Sequence, residues 1–255
     1  MPPAEGGGME IKMQIKNKKL RNLINSIIGF DGQQLEIEIG EMKWAQKYHS
    51  LTANSSWLTT GVYPGGWAVG YSFLCVLYRI LDELKPNNIL ELGLGQSTKL
   101  TSCFTHHERE TFHCIVEHDP DWITFMNKSV NLEYSHVAQI PLAKQLFKGD
   151  TVTIYKDFIN RIPKRQYDLI LIDAPFGSEG KYSRIDVLSL IPHMISKDFV
   201  IMMDDCDREG EKNTFHELIT LLENCSIKYK TKIYRGQKDV YIIASLSHFF
   251  VCTMD

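Results

Sequence analysis

The sequence has no paired-cysteine motif. Its six cysteines, Cys75, Cys103, Cys114, Cys206, Cys225 and Cys252, are scattered without a CxxC pair, and several sit inside apolar runs. That pattern excludes a CxxC zinc site and a disulfide framework, because a thiol in an apolar run behaves as a small hydrophobe. Nor is there an apolar run near the roughly 18 residues of a membrane-spanning helix, or a secretory leader. An excess of basic charge is missing too: 28 Lys and Arg against 31 Asp and Glu leave a net charge of −3. No global field favours nucleic acid, and no internal repeat or low-complexity segment is present. These absences predict a protein of the cytoplasm. With 44% hydrophobic and 23% charged residues in 255, the chain can bury one large α/β core or two small ones.

The opening MPPAEGGG, residues 1–8, reads as a cloning remnant before a native start at Met9. Residues 9–68 read as a helical and irregular N-terminal cap, and residues 69–255 as the main domain. Ile11–Phe30 places Ile15, Leu20, Leu23, Ile24, Ile27 and Ile28 roughly on one helical face, which would pack on the domain or form the contact of a homo-oligomer. The aromatic, Ser- and Gly-rich stretch Trp44–Trp67 reads as a lid, a substrate wall or an irregular cap. Gly70–Leu84 has helical periodicity and stops at Lys85–Pro86.

Beyond that point, apolar strands alternate with helical stretches. Strands are predicted at Ile89–Leu92, His113–Glu117, Val152–Tyr155, Leu169–Asp173 and Val200–Asp204. Helices are predicted at Ser97–Thr105, Pro120–Asn131, Pro141–Leu146, Ile185–Ile191 and Lys212–Glu223. ILEL, LILID and VIMMD lack polar alternation, as strands buried on both faces should. The tail SIKYKTKIYRGQKDVYIIAS reads instead as two strands joined by the turn Arg235–Asp239. The sum is a doubly wound, mostly parallel, seven-stranded α/β sheet of Rossmann-like type that closes with an antiparallel hairpin, the class I methyltransferase architecture.

The chemistry concentrates at strand ends. In LELGLGQST, Gly93 and Gly95 let the backbone turn sharply and approach a ligand with no Cβ in the way, and the helix beginning near Ser97 points free amides into the same crevice. Thr98 stands where a dinucleotide fingerprint would have its third glycine. Glu117, 22 residues after Gly95, ends the second strand, where a carboxylate can accept hydrogen bonds from both hydroxyls of a ribose. Glu91, just before the glycines, suits the cationic amino-acid end of S-adenosylmethionine and would repel a pyrophosphate. His118 borders the same crevice, Asp119–Pro120 reads as a helix start, and Trp122 reads as packing. Asp173, in LIDAPFGSEGKYSR, and Asp205, in MMDDCDREGE, close two neighbouring strands. Such a pair could hold a divalent metal ion or include a general base for a hydroxyl. Glu209 reads as a solvated helix-start acid.

The segments LELGLGQST, VEHDPDW, LILIDAPFGSEGKYSR and DDCDREGE, in this order from about Leu84 to Glu217, resemble the polysaccharide-methylating family typified by glucuronoxylan 4-O-methyltransferases. The resemblance implies transfer of a methyl group from S-adenosylmethionine to a sugar hydroxyl of an acidic polysaccharide or its precursor. It implies Gly93 and Gly95 along the cofactor, Glu117 on the ribose and Asp173 near the transfer point. Asp205, Asp207, Arg208 and Glu211 would frame the carbohydrate acceptor. Arg184 would either pair with a uronate carboxylate or pin its own loop. Asp204 stands where the family has histidine, and the membrane anchor and cysteine-rich leader of plant members have no counterpart. Two other readings stay open: a nicotinamide-dependent oxidoreductase on the same scaffold, and a non-catalytic methyltransferase-fold subunit of a glycan-assembly complex.

Overall fold

The computed structural model describes residues 32–65, 68–177 and 180–255. The remnant at residues 1–8 and the amphipathic helix expected over Ile11–Phe30 lie outside them. Two helices come first, α1 (Gly32–Thr52) and α2 (Tyr71–Leu84). The alternating part then runs β1 (Asn88–Leu92), α3 (Gln96–His107), β2 (Phe112–Glu117), α4 (Pro120–Met126) and β3 (Ser135–Gln139). A hairpin of β4 (Leu142–Phe147) and β5 (Asp150–Tyr155) and the one-turn α5 (Phe158–Arg161) lead to β6 (Tyr167–Ile172). A 3-10 helix (Ile185–Leu190), β7 (Ile195–Met203), α6 (Glu209–Asn224), β8 (Tyr229–Tyr234), β9 (Val240–Ser245) and a second 3-10 segment (Leu246–Thr253) complete the chain.

Seven strands form one sheet in the order β3-β2-β1-β6-β7-β9-β8. The first five pair in parallel, and β9 runs antiparallel to both β7 and β8. A crossover that reverses between β1 and β6, together with an antiparallel hairpin closing the other side, is the class I methyltransferase order, as the sequence predicts. The apolar runs explain it: β1, β6 and β9 are buried along nearly their whole length, which requires helices on both faces. One face packs Phe73, Leu74, Leu77, Leu100 and Phe104 from α2 and α3, and the other packs Val187, Leu190, Phe215, Leu218 and Leu222.

Several local expectations are corrected. Pro141–Leu146 is not a helix but the start of a hairpin, β4, no residue of which is buried, so LAKQLF carries no strand alternation. The strand at Val152–Tyr155 exists, yet it pairs with β4 outside the main sheet. Its expected sheet position belongs to β3, a short edge strand whose polar residues hide its period. Helix α4 stops at Met126 rather than Asn131. The stretch from Trp44 is regular helix as far as Thr52, and Trp44, Tyr48, Trp57 and Val62 join the first core. Those four side chains lie in the same core as α2 and α3.

Helix α1 also ties down a distant turn. Glu41 Oε1 accepts a hydrogen bond from Tyr71 N at the start of α2 (2.6 Å), and its Oε2 accepts one from Gln237 N (2.9 Å). Trp44 Nε1 donates to the Arg235 carbonyl at 2.7 Å. The β8–β9 turn is thus held from outside the sheet.

Asp186 lies under the sheet edge, 6% exposed. Its Oδ1 accepts from Tyr155 N at 2.9 Å, while Oδ2 has no hydrogen-bond partner. Burial pushes its carboxyl up to about 7. The folded state therefore holds a proton that the unfolded state has lost, so stability is fully present below the ordinary aspartate pKa and falls as pH rises through about 7. Asp186→Asn should raise Tm near pH 8 by about 3 °C, on the order of 1 kcal/mol for a domain of this size, and the gain should vanish toward pH 4. Scanning calorimetry across that range measures it; a gain that does not depend on pH would contradict the assignment.

Candidate functional site

The parallel register sets the site. Leu92 pairs with Ile172, and Ile172 pairs with Met203, so the next residues, Gly93, Asp173 and Asp204, stand in one row at the carboxyl edge. Backbone bonds continue that row: Asp173 N donates to Leu92 O and Asp204 N to Ile172 O, each at 3.0 Å. Because β9 is antiparallel, it is its beginning that reaches this edge. Met203 pairs with Tyr241, and Cys206 N donates to Asp239 O at 2.9 Å. The hairpin thereby delivers Lys238 to the row, a residue that the sequence reading passed over as turn chemistry.

On the glycine side, Gly93 has φ +105°, and a Cβ there would come within 3.0 Å of the Ala174 Cβ. Only glycine lets the loops after β1 and β6 approach this closely. Gly95 is different: a Cβ there would meet nothing within 4 Å, so its backbone faces open space at the start of α3. Glu117 closes β2 beside it. Its Oε2 accepts from Leu94 N (3.2 Å), and its Oε1 accepts from His118 N (2.6 Å) and Asp119 N (3.0 Å). His118 Nδ1 lies 2.7 Å from the same carboxylate, and its ring meets Phe176 edge-on at 5.5 Å. Phe176 is 67% exposed, an aromatic from the loop after β6 standing over the Glu117 side. Asp119 caps α4, accepting from Asp121 N and Trp122 N, and Trp122 donates to the Leu94 carbonyl.

Glu91 points the other way. It is 1% exposed, and both oxygens are occupied: Ser97 Oγ (2.6 Å) and Thr98 Oγ1 (3.0 Å) donate to Oε1, while Thr101 Oγ1 (2.9 Å) and His113 Nε2 (3.0 Å) meet Oε2. Ser97 and Thr98, expected along the cofactor, spend their hydroxyls on this carboxylate, and Thr98 Oγ1 also accepts from Gly95 N. The group fixes the glycine loop from beneath. The spacing Glu91–Ser97–Thr98–Thr101, one acid below one helical face, is the signal for this arrangement.

At the acid side, Arg184 is the centre. It is 2% exposed, and its Nη2 lies 2.7 Å from Asp205 Oδ2 and 3.3 Å from Asp173 Oδ1. Its Nη1 donates to the carbonyls of Asp204 (3.0 Å) and Ile172 (3.3 Å), and its Nε lies 3.6 Å from Glu211 Oε1. Those bonds turn Arg184 into the protein, away from any acceptor. Arg208, with nearly half its side chain exposed, sits 3.1 Å from Asp205 Oδ2. Lys238 Nζ is 3.0 Å from Asp205 Oδ1 and 3.5 Å from Asp204 Oδ2. Asp205 and Arg184 both adopt positive φ, 59° and 54°, backbone strain of the kind that surrounding contacts must hold in place. Glu209 and Asp207 add no contact to the row among the described residues.

Four carboxylates (Asp173, Asp204, Asp205, Glu211) face three cations (Arg184, Arg208, Lys238). Burial would raise Asp205, but Arg184, Lys238 and Arg208 together hold its carboxyl below the ordinary value. Burial and then the charges of Asp173 and Asp205 push Asp204 up to about 8. Burial pushes Asp173 up to about 6, against the pull of Arg184. Asp173, a quarter exposed, is the carboxylate of the row that reaches the crevice; Asp204 is fully buried.

Asp173, Asp204 and Asp205 offer one oxygen each within 4.8 Å of one another, a spacing that a divalent ion could span. Charge and space argue otherwise. An ion bonded to Asp204 and Asp205 would sit roughly 2.0–2.6 Å from their oxygens, and the Lys238 ammonium already contacts an oxygen of each. The residues do not fit a resident metal.

No family model matches the chain. It is 28% identical over 136 residues to glucuronoxylan 4-O-methyltransferases 3 and 2 of Arabidopsis thaliana. That match takes in 44% of this chain and 45% and 46% of the two relatives, so the chain spans about half the length of the curated relatives it matches. Among solved structures, similar ones include an O-methyltransferase from Bacillus cereus in complex with SAH (14% identity, 89% of this chain and 96% of that one, TM-score 0.44). Another is the O-methyltransferase TomG of Streptomyces achromogenes in complex with SAM (13% identity, 89% and 95%, TM-score 0.47). The class I fold itself is read from the sheet order.

Glu91→Gln should destabilise the protein by about 2–3 kcal/mol, since an amide puts a donor where hydroxyls already donate into a buried site. Chemical denaturation measures this; an unchanged midpoint would show that the carboxylate is free for a ligand.

Proposed function

We propose that the chain is an S-adenosylmethionine-dependent O-methyltransferase whose acceptor is a sugar hydroxyl of an acidic polysaccharide or its precursor. The observation that carries the reading is the pairing of an open glycine backbone at Gly95 with Glu117 at the end of β2, on a sheet closed by the antiparallel hairpin. The nucleoside would lie along Gly93 and Gly95, its ribose hydroxyls donating to Glu117, with His118 and Phe176 over that end. Glu91 no longer separates this cofactor from a dinucleotide, since its charge is spent inside; the hairpin does.

On the acceptor side, Arg208 is the half-exposed cation able to meet a uronate carboxylate, and Arg184 holds Asp173 and Asp205 in place. The acceptor oxygen attacks the sulfonium methyl in line. The C–O bond forms, the C–S bond breaks and its electrons go to sulfur, and the hydroxyl proton passes to Asp173. Most of the acceleration comes from holding two reactants together, because the leaving group is already good. The carbohydrate acceptor is supported by the partial likeness to the xylan methyltransferases and by Arg208. Six free cysteines support a reducing compartment such as the cytoplasm.

The test is methyl transfer from labelled S-adenosylmethionine to a panel of uronate-bearing and neutral oligosaccharides. Asp173→Asn should lower turnover roughly 10²–10⁴-fold while S-adenosylhomocysteine affinity stays within a factor of two or so. The wild-type rate should rise with pH through about 6 and then level, as a base that must lose its proton requires. Lost cofactor affinity with residual turnover in Asp173→Asn would place this acid on the cofactor instead.

A further inference from the structure

The charge row contains a cation whose place in the structure is specific. Lys238 is mostly buried, with 17% of its side chain exposed. It arrives through the one antiparallel connection of the sheet, and α1 holds its turn through Glu41 and Trp44. Its ammonium contacts Asp205 Oδ1 and stands beside Asp204 Oδ2. Asp204 is 0% exposed, and neither of its oxygens accepts a hydrogen bond among the described residues. A fully buried carboxylate without donors is expensive unless a cation or a proton accompanies it. Asp204 has both at hand: burial pushes its carboxyl up to about 8, and the Lys238 ammonium stands 3.5 Å from Oδ2 while pairing with the charged Asp205 at 3.0 Å.

We propose that Lys238 is the built-in counter-ion of the carboxylate row, filling the seat between Asp204 and Asp205 that a divalent ion would otherwise take. It acts as a positioning residue: it keeps Asp204 and Asp205 in place, and Asp205 in turn fixes the Arg184 guanidinium that lies against Asp173. The proposal rests on the methyl-transfer reading for its purpose but not for its geometry. The row works with an ammonium, and a metal is excluded from it by occupancy. Residues 235–239 and helix α1 then belong to the reaction centre in effect, although neither touches it except through Lys238.

The experiment is Mn²⁺ titration of the full chain by electron paramagnetic resonance and calorimetry, with S-adenosylhomocysteine binding measured on the same samples. Wild type and Lys238→Arg should take up no Mn²⁺ below about 1 mM, the weak end of carboxylate sites. Lys238→Ala, with the seat vacated, should bind one ion per chain, and adding Asp204→Asn should remove that site. Lys238→Ser, which also vacates the seat but is polar, covers the case in which Lys238→Ala does not fold. Two results overturn the proposal: a wild-type Mn²⁺ site abolished by Asp204→Asn, or a folded Lys238→Ala or Lys238→Ser that gains none. Failure of wild type to bind S-adenosylhomocysteine would sink the cofactor reading and leave the Mn²⁺ comparison standing, so the two can fail separately.

Discussion

The Arg184 guanidinium is the contact on which the catalytic edge depends. It is wholly buried, and it joins the ends of β6 and β7 by binding the carbonyls of Ile172 and Asp204 together with the carboxylates of Asp173 and Asp205. Removing one partner from such a group leaves a buried charge without compensation, which costs more than the pair contributes. That asymmetry makes the row an all-or-nothing device. The strain at Arg184 and Asp205 is tolerated because so many contacts over-determine their positions.

Around this centre the fold divides the labour between its two halves. The parallel half supplies the side proposed for the cofactor: Glu91 is locked beneath the glycine loop by Ser97, Thr98, Thr101 and His113, Gly93 packs closely on Ala174, and Gly95 faces open space. The antiparallel half supplies the end of the row at which Arg208 is proposed to meet the acceptor, because reversing β9 brings the start of a strand, with Lys238, to an edge that otherwise receives only strand ends. Helix α1 belongs to this second half. Through Glu41 and Trp44 it braces the turn that carries Lys238, a contact that distance in sequence conceals.

Much of the architecture was legible because burial on both faces leaves a plain mark. ILEL, LILID and VIMMD lack polar alternation, and Asp173 and Asp204 fall at the carboxyl ends of the last two. The edge was harder to read. SHVAQ in β3 is a short edge strand with one buried residue and LAKQLF in β4 has none, so the first was missed and the second resembled an amphipathic helix. Gly93, Gly95, Glu117, Asp173 and Asp205 were singled out from spacing and position, and the fold brings them to the carboxyl edge of the sheet. Glu91 was found but its direction was not, since the hydroxyls that claim it lie one helical turn apart on α3 and their convergence is a tertiary fact. Arg184 was singled out, with pinning its own loop as one of two readings, but its partners were not, and Lys238 was passed over: a buried cation in a loop has no periodic signature, and only the closed sheet reveals which carboxylates it meets.

The central claim is that the crevice between Gly95 and Glu117 holds a sulfur nucleoside. The most direct measurement is calorimetric titration of the wild-type chain with S-adenosylhomocysteine and with NADH, repeated on Glu117→Ala. The account predicts saturable binding of the sulfur nucleoside with one site per chain, no heat from NADH, and loss of the binding in Glu117→Ala. Binding of NADH alone, or sulfur-nucleoside binding indifferent to Glu117, would contradict it.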